Sequence, residues 1–310
     1  MTNGRAVHLT LTKCGSQWVR DVLAAPELSR YGGLPYSGIS LSLGLCGALN
    51  LPQSEFSGPI YQMNRWEWRH WSQPGDRAIV VLRDPRDRAI SLLYSTLYSH
   101  GNSIRITQRR DILAKLLDSP SETLRYQLFS SENAIRFYRT WAGAQEGDAR
   151  IIRYEDLIVD QLGEFSRLLE WLGWQVPRDI LAAVVDRLSF TVRSGRTPGN
   201  ADMFSHYRRG VAGDWRNYFD RSHGELWEQL YPGLLTELGY ETTDDWWRVL
   251  PDSKLRPESL PPPDGLEKLR RRNQALEADL IAKEAEIQLL NKACVERLAL
   301  IERLEAKLKS

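Results

Sequence analysis

Lysine, glycine and serine crowd into one short stretch, TLTKCGSQW (Thr10–Trp18). A strand that ends in a tight turn and hands over to a helix aims consecutive backbone N–H groups, and the positive helix end, at an anion. Gly15 lets the backbone approach a ligand closely, Ser16 adds a hydroxyl donor and Lys13 a point charge. This is not a nucleoside-triphosphatase loop, whose GxxxxGK-S/T order puts the lysine after the glycines. Taken alone, a surface lysine beside an ordinary turn explains the stretch as well. A second cluster, VVLRDPRDRAISLLYS, sets Arg83 just past an apolar run and Ser91 eight residues later in a helical pattern. Such a pair converges on one phosphate, the Arg through two parallel N–H bonds. The trailing charges Arg86, Asp87 and Arg88 read as a surface salt-bridge network. A third, HYRRGVAGDWRNYF, puts the cations Arg208 and Arg209 beside Gly210, a clamp for a second phosphate or else solvated loop charge. The turn-rich RSGRTPGNADMFS before it reads as a mobile loop.

The elements that would position these clusters follow from periodicity. Ala6–Thr12, Ala78–Leu82 and Ala149–Leu157 (ARIIRYEDL) read as strands. WVRDVLAA, RAISLLYSTLY and LGEFSRLLEWLG read as the helices after them. Strand, loop and helix in repetition predict an α/β fold, a central parallel sheet flanked by helices in three layers. Ligands of such sheets bind at the carboxyl ends of the strands, where all three charged loops fall.

The whole chain sets limits. It has 310 residues with 41 Lys and Arg against 40 Asp and Glu, a net charge of +1, so no global basicity points to nucleic acid. Ile39–Leu51 is too short an apolar stretch to span a bilayer, which needs ~20 residues, and the start has no secretory h-region. The 3 cysteines are far apart and the 5 histidines scattered, so neither a disulfide framework nor a metal site is expected. A reducing cytoplasm fits. Residues 251–265 hold five of the 15 prolines and read as a linker between a domain at 1–250 and a helix at 266–310. From Leu266 a heptad pattern sets Leu or Ile at nine of thirteen a and d positions. It predicts a coiled coil, with self-association through 266–308. Asn273 at an a position favours a dimer over a trimer; a single helix folded back on the domain is the alternative.

Together the three clusters resemble the sulfotransferases that use 3′-phosphoadenosine 5′-phosphosulfate, a family with a P-loop-like fold. TKCGSQW is similar to the family's KSGTTW loop, Arg83 and Ser91 to its 3′-phosphate motif, and Arg208–Trp215 to its RKGxxGDW. The resemblance covers roughly residues 6–240. It implies that Lys13 contacts the phosphosulfate and that Cys14, Gly15, Ser16 and Gln17 cradle the 5′-phosphate. It implies that Trp18 and Phe190 stack on the adenine with Tyr154 at its edge, and that Arg83, Ser91, Arg208, Arg209 and Gly210 hold the 3′-phosphate. No metal is implied. Cys14 and Gln17 replace a serine and a threonine of the family loop. A helix start can lower a thiol's pKa, and an inert loop thiol is the other reading of Cys14. The family's histidine base lies in a Lys-x-His segment; here that region reads YQMNRWEWRHW, with Asn64 nearest. His70 is the first candidate base and Glu67 the second.

The implied reaction is in-line sulfuryl transfer to an acceptor hydroxyl. The acceptor is expected in a glycan or surface polysaccharide, with the chain cytoplasmic and associated with a membrane-bound glycan assembly complex. Small aromatic or lipid alcohols are the alternative acceptors, lodged among the aromatic residues of Tyr61–Trp71. Two readings from other classes remain: a nucleotide-dependent kinase, against which the order of Lys13 and Gly15 argues, and a non-catalytic coiled-coil scaffold. The family's KxxxTVxxxE dimer motif is altered, with Asp220-Arg221 in place of Thr-Val.

Overall fold

Five consecutive buried residues, Ala6–Thr10, form the strand β1 at the centre of a four-stranded sheet. The computed structural model describes residues 4–253, apart from 40–50, 53, 100–103, 118, 145, 146 and 148, and Lys283 beyond them. In chain order β1 is followed by α1 (Ser16–Leu23), α2 (Pro26–Ser29), β2 (Phe56–Tyr61), α3 (Arg65–Trp71), β3 (Arg77–Leu82) and α4 (Pro85–Tyr94). A π-helical turn, Ser95–Ser99, continues α4. Then come α5 (Ile104–Lys115), α6 (Pro120–Phe129), α7 (Glu132–Ala142), β4 (Ala149–Arg153), α8 (Tyr154–Val159) and α9 (Gln161–Leu172). The last helices are α10 (Arg178–Arg187), α11 (Phe190–Ser194), α12 (Arg221–Leu230) and α13 (Leu234–Glu237).

The sheet order is β2-β1-β3-β4 and every pairing is parallel. Thr10 sits opposite both Tyr61 and Val81, so the carboxyl ends of the first three strands come level at one edge. Ile79, Val81 and Ile152 pack into a cluster with Val19 and Val22 of α1 and with Phe165, Leu168, Leu169 and Leu172 of α9. The α9 residues are spaced i, i+3, i+4 and i+7, one apolar stripe of a helix. Asp160 caps its start by accepting from Gly163 N at 2.9 Å, and Gly173, with φ 78, ends it in the left-handed region. Ala78, Val80 and Leu82 point to the opposite face by strand alternation and are buried too, so both faces are covered. The expected parallel sheet with flanking helices is therefore present.

The structure corrects the sequence reading in four places. FSGPIY forms β2, which was not expected because Gly and Pro interrupt it. An edge strand tolerates the proline, and Gly58 is needed because a Cβ there would lie 2.6 Å from His8 O. The strand expected through Leu157 stops at Arg153, and Tyr154 opens α8 with Glu155 and Asp156 favourably placed in its first turn. The charges Arg86, Asp87 and Arg88 are buried, not superficial. Arg86 lies between the rings of Trp215 and Trp246, 3.7 and 4.5 Å from their centroids, and pairs with Asp84 and Glu241. Asp87 accepts from the N–H groups of Gly213 at 2.6 Å and Trp215 at 2.8 Å. Arg88 donates to Thr12 O at 3.1 Å. The turn-rich segment is held down as well: Arg196 donates to the carbonyl oxygens of Asn200, Tyr207 and Arg208. The expected coiled coil at 266–310 and most of the linker at 251–265 lie outside the described residues.

Candidate active site

A cleft of about 1040 Å³, open to solvent, lies at the carboxyl edge of the sheet, walled by the β1–α1 loop, the ends of β2 and β3, α8, α11 and the 206–210 loop. Its first wall depends on two left-handed residues, Lys13 at φ 72 and Gly15 at φ 78. A Cβ on Gly15 would lie 2.9 Å from Cδ2 of Tyr154, so only glycine lets the loop pass that ring. Gly15 is the N-cap of α1 and no side chain caps that end, so its N–H groups stay available. Lys13 Nζ reaches Ser95 Oγ at 3.1 Å. Burial, then the neighbouring cations Arg83 and Arg208, lower the amine to about 8. Ser16 opens α1, its Oγ 3.2 Å from the Tyr61 hydroxyl.

Arg83 leaves the end of β3 and is fixed on three sides. It donates to Lys13 O and to Val211 O, both at 3.1 Å, and lies over the Tyr154 ring, 4.4 Å from its centroid. Arg208 lies over Tyr94 at 4.7 Å, and both it and Arg209 pair with Asp214. Burial of the Asp214 carboxyl works against ionisation, but the two guanidinium groups and Asn217 hold it below the usual carboxylate range. Nε of Arg83 and Nε of Arg208 are buried without a hydrogen-bond partner. Gly210, at φ 66, lets the late loop close over Phe190; a Cβ there would lie 2.4 Å from the ring. Trp18 meets Tyr154 and Phe165 edge-on, with ring centroids 6.5 and 5.7 Å apart.

Of the sequence-derived candidates, the structure brings Lys13, Gly15, Ser16, Gln17, Trp18, Arg83, Ser91, Tyr154, Phe190, Arg208, Arg209 and Gly210 to this cleft. Cys14 is fully buried beneath it, its Sγ 3.9 Å from the Tyr138 hydroxyl, and burial pushes the thiol up, the inert alternative. Neither candidate base lines the cleft. His70 is exposed in the last turn of α3, edge-on to Trp71. Glu67 is buried as the third residue of that helix and accepts from Asn64 N at 2.6 Å, closing a capping box. Asn64, the residue nearest to the family's histidine, is the N-cap of the same box. The lining also holds Tyr61, which opens the aromatic stretch offered as an acceptor pocket, and His206 and Tyr207, which open the HYRRGVAGDWRNYF cluster but carried no assigned role. Among the described lining residues four are cations and none is a carboxylate. That wall, joined to the start of α1, suits a ligand with several negative charges.

The family model described as the sulfotransferase domain matches residues 72–239. The chain belongs to the sulfotransferase domain family. The match takes in the Arg83 and Arg208 motifs and starts beyond the Lys13 loop. Rat sulfotransferase 2A1 is 26% identical over 170 residues, 50% of this chain and 55% of the relative. Mouse sulfotransferase 2B1 is 26% identical over 172 residues, 50% of this chain and 46% of the relative. The 3-alpha-hydroxysteroid sulfotransferase of Cavia porcellus is 22% identical over 170 residues, 50% of this chain and 54% of the relative. The chain spans about half the length of the curated relatives it matches. Among solved structures, mouse sulfotransferase SULT7A1 complexed with PAP is 14% identical, with a TM-score of 0.48, covering 76% of this chain and 85% of that one. Retinol dehydratase in complex with androsterone and inactive cofactor PAP is 15% identical, with a TM-score of 0.43, covering 76% and 81%.

Proposed function

We propose that this sulfotransferase-family chain moves a sulfuryl group from 3′-phosphoadenosine 5′-phosphosulfate to an acceptor hydroxyl. The observation that carries the proposal is the carboxylate-free cationic wall with two buried, unpartnered guanidinium nitrogens, on Arg83 and Arg208. Buried polar atoms of a native protein find partners, and the phosphate oxygens of such a donor supply them. The residues therefore fit the group. The donor brings the activated sulfuryl group; the chain supplies position and charge. Arg83, Ser91, Arg208 and Arg209 hold the 3′-phosphate, with Gly210 giving the backbone room. The backbone from Cys14 to Gln17 holds the 5′-phosphate at the start of α1. Trp18, Phe190 and Tyr154 bound the adenine. Lys13 stabilises charge that develops on the leaving oxygen.

For the acceptor, a relative named as a 3-alpha-hydroxysteroid sulfotransferase favours a small alcohol. The glycan reading loses one of its supports, the carboxylate base, because Glu67 caps α3. Self-association through 266–308 rests on the heptads alone. No described helix is long and apolar enough to cross a membrane.

Calorimetric titration with 3′-phosphoadenosine 5′-phosphate, ATP and AMP tests the donor site. Tight binding of the bisphosphate alone, weakened in Arg83→Ala, is expected. Equal or absent binding returns the kinase and scaffold readings. Turnover on steroid, phenol and glycan acceptors then separates the acceptor classes, and binding without any turnover favours the scaffold.

A further inference from the structure

One hydroxyl side chain in the cleft, that of the first residue of YQMNRWEWRHW, has no part in the donor contacts described above. Tyr61 ends β2 at the carboxyl edge, level with Thr10, just before the Lys13 loop departs from β1. The backbone turns directly after it. Gln62 has φ 65, a left-handed conformation that costs a non-glycine residue energy, and its N–H donates to Thr10 O at 2.9 Å. This fixes the strand end and the phenol it carries. The phenol lines the cleft and lies 3.2 Å from Ser16 Oγ. Ser16 is in turn the first residue of α1, whose uncapped end faces the same cleft. Two hydroxyls thus stand in series between the cleft wall and the helix start.

We propose that Tyr61 takes the proton of the acceptor hydroxyl and relays it through Ser16. This rests on the transfer reading above. Each hydroxyl both donates and accepts, so no charged base is needed. As the acceptor oxygen bonds to sulfur, its proton passes to Tyr61 Oη, the phenol proton passes to Ser16 Oγ, and Ser16 hands its own proton to the departing phosphate oxygen. The bond between sulfur and that oxygen breaks with its electron pair going to the oxygen. Tyr61 and Ser16 end neutral, each having exchanged one proton, beside a sulfate ester and a singly protonated 5′-phosphate. The relay accounts for a cleft that neither His70 nor Glu67 lines.

The test compares wild type, Tyr61→Phe, Ser16→Ala and the double variant. Affinity for 3′-phosphoadenosine 5′-phosphate is measured by calorimetry, and turnover of the phosphosulfate donor with the steroid alcohol androsterone, whose hydroxyl stays protonated at neutral pH, and with water as acceptors. Tyr61→Phe is expected to bind the bisphosphate within about tenfold of wild type and to lose roughly 100-fold in kcat. Ser16→Ala is expected to lose a similar factor, and the double variant no more than the worse single one. Independently of turnover, the two changes are expected to be coupled by about threefold or more in bisphosphate affinity, because the phenol orients the serine hydroxyl. Tyr61→His, which keeps a proton-accepting atom in place, is expected to recover part of kcat and stands in if Tyr61→Phe fails to fold. The relay is overturned if Tyr61→Phe keeps kcat or if the losses are additive; a wild type that binds the bisphosphate but transfers to neither acceptor fails the transfer reading, and the relay with it. Absence of bisphosphate binding by wild type defeats the transfer reading itself, and the relay with it.

Discussion

The guanidinium of Arg83 donates to the carbonyl oxygen of Lys13 at 3.1 Å, so the cation from the end of β3 fixes the loop that follows β1. The same side chain reaches Val211 O at 3.1 Å. One residue thereby locks three loops into one wall. Arg83→Ala is expected to weaken bisphosphate binding by roughly 30-fold or more and to lower the melting temperature, since truncation strands two backbone oxygens. Arg83→Lys keeps the charge but cannot span both carbonyls, so calorimetry and thermal melts should place it between the two.

Gly210 faces the ring of Phe190 at a positive φ of 66. A methyl group added there is strained by the backbone and collides with the ring. Gly210→Ala is expected to cost about tenfold or more in bisphosphate affinity, with the overall fold intact by circular dichroism. Wild-type affinity in that variant would show that the late loop need not close on Phe190.

Lys13 titrates near 8 because burial and then Arg83 and Arg208 disfavour its charge. The amine attracts a phosphate only while protonated. Bisphosphate affinity is therefore expected to fall as pH rises through about 8, by at most tenfold per pH unit. A bound anion raises the amine's proton affinity, so binding at pH 8 takes up protons. Calorimetry in two buffers of different ionisation heat measures that uptake, and Lys13→Met should abolish it.

His8 sits at the centre of β1 with neither ring nitrogen bonded. Burial, and secondarily Arg20, lowers it from 6.5 to about 3. The folded state keeps the ring neutral while the unfolded chain protonates it. Its contribution is thus fully present above about pH 6.5 and is lost progressively as pH falls towards 3. By pH 5 the loss is about 2 kcal/mol. Urea unfolding at pH 7 and pH 5 reads it, and His8→Leu should flatten the difference.

Local signals carried much of this structure. Lys13, Arg83 and Arg208 each stand in a short pattern at a loop, and a parallel sheet brings such loops to one edge, so the meeting of the three in one cleft was legible from the chain. What sequence could not show was set by distant partners. Arg86, Asp87 and Arg88 looked superficial because the partners that bury them are distant in sequence: Trp215, Gly213 and Glu241, more than a hundred residues on, for Arg86 and Asp87, and Thr12, 76 residues back, for Arg88. β2 was missed because Gly58 and Pro59 break its pattern, and only the neighbouring His8 backbone explains the glycine. The base candidates went astray for the same reason. Glu67 looks free in sequence, yet it closes a cap with Asn64, while Tyr61 lies in the strand that was not seen.

The carboxylate of Asp87 holds the amides of Gly213 and Trp215. All four strands have been synthesised once Arg153 is made, but this clasp must wait for residues some sixty positions further on. During translation the sheet can therefore pair well before the cleft exists, and a nascent chain ending before Gly213 has a core but no finished cleft. Donor binding in a series of stalled chains would accordingly switch on at one length, marking the moment at which the late loop leaves the ribosome and meets α4.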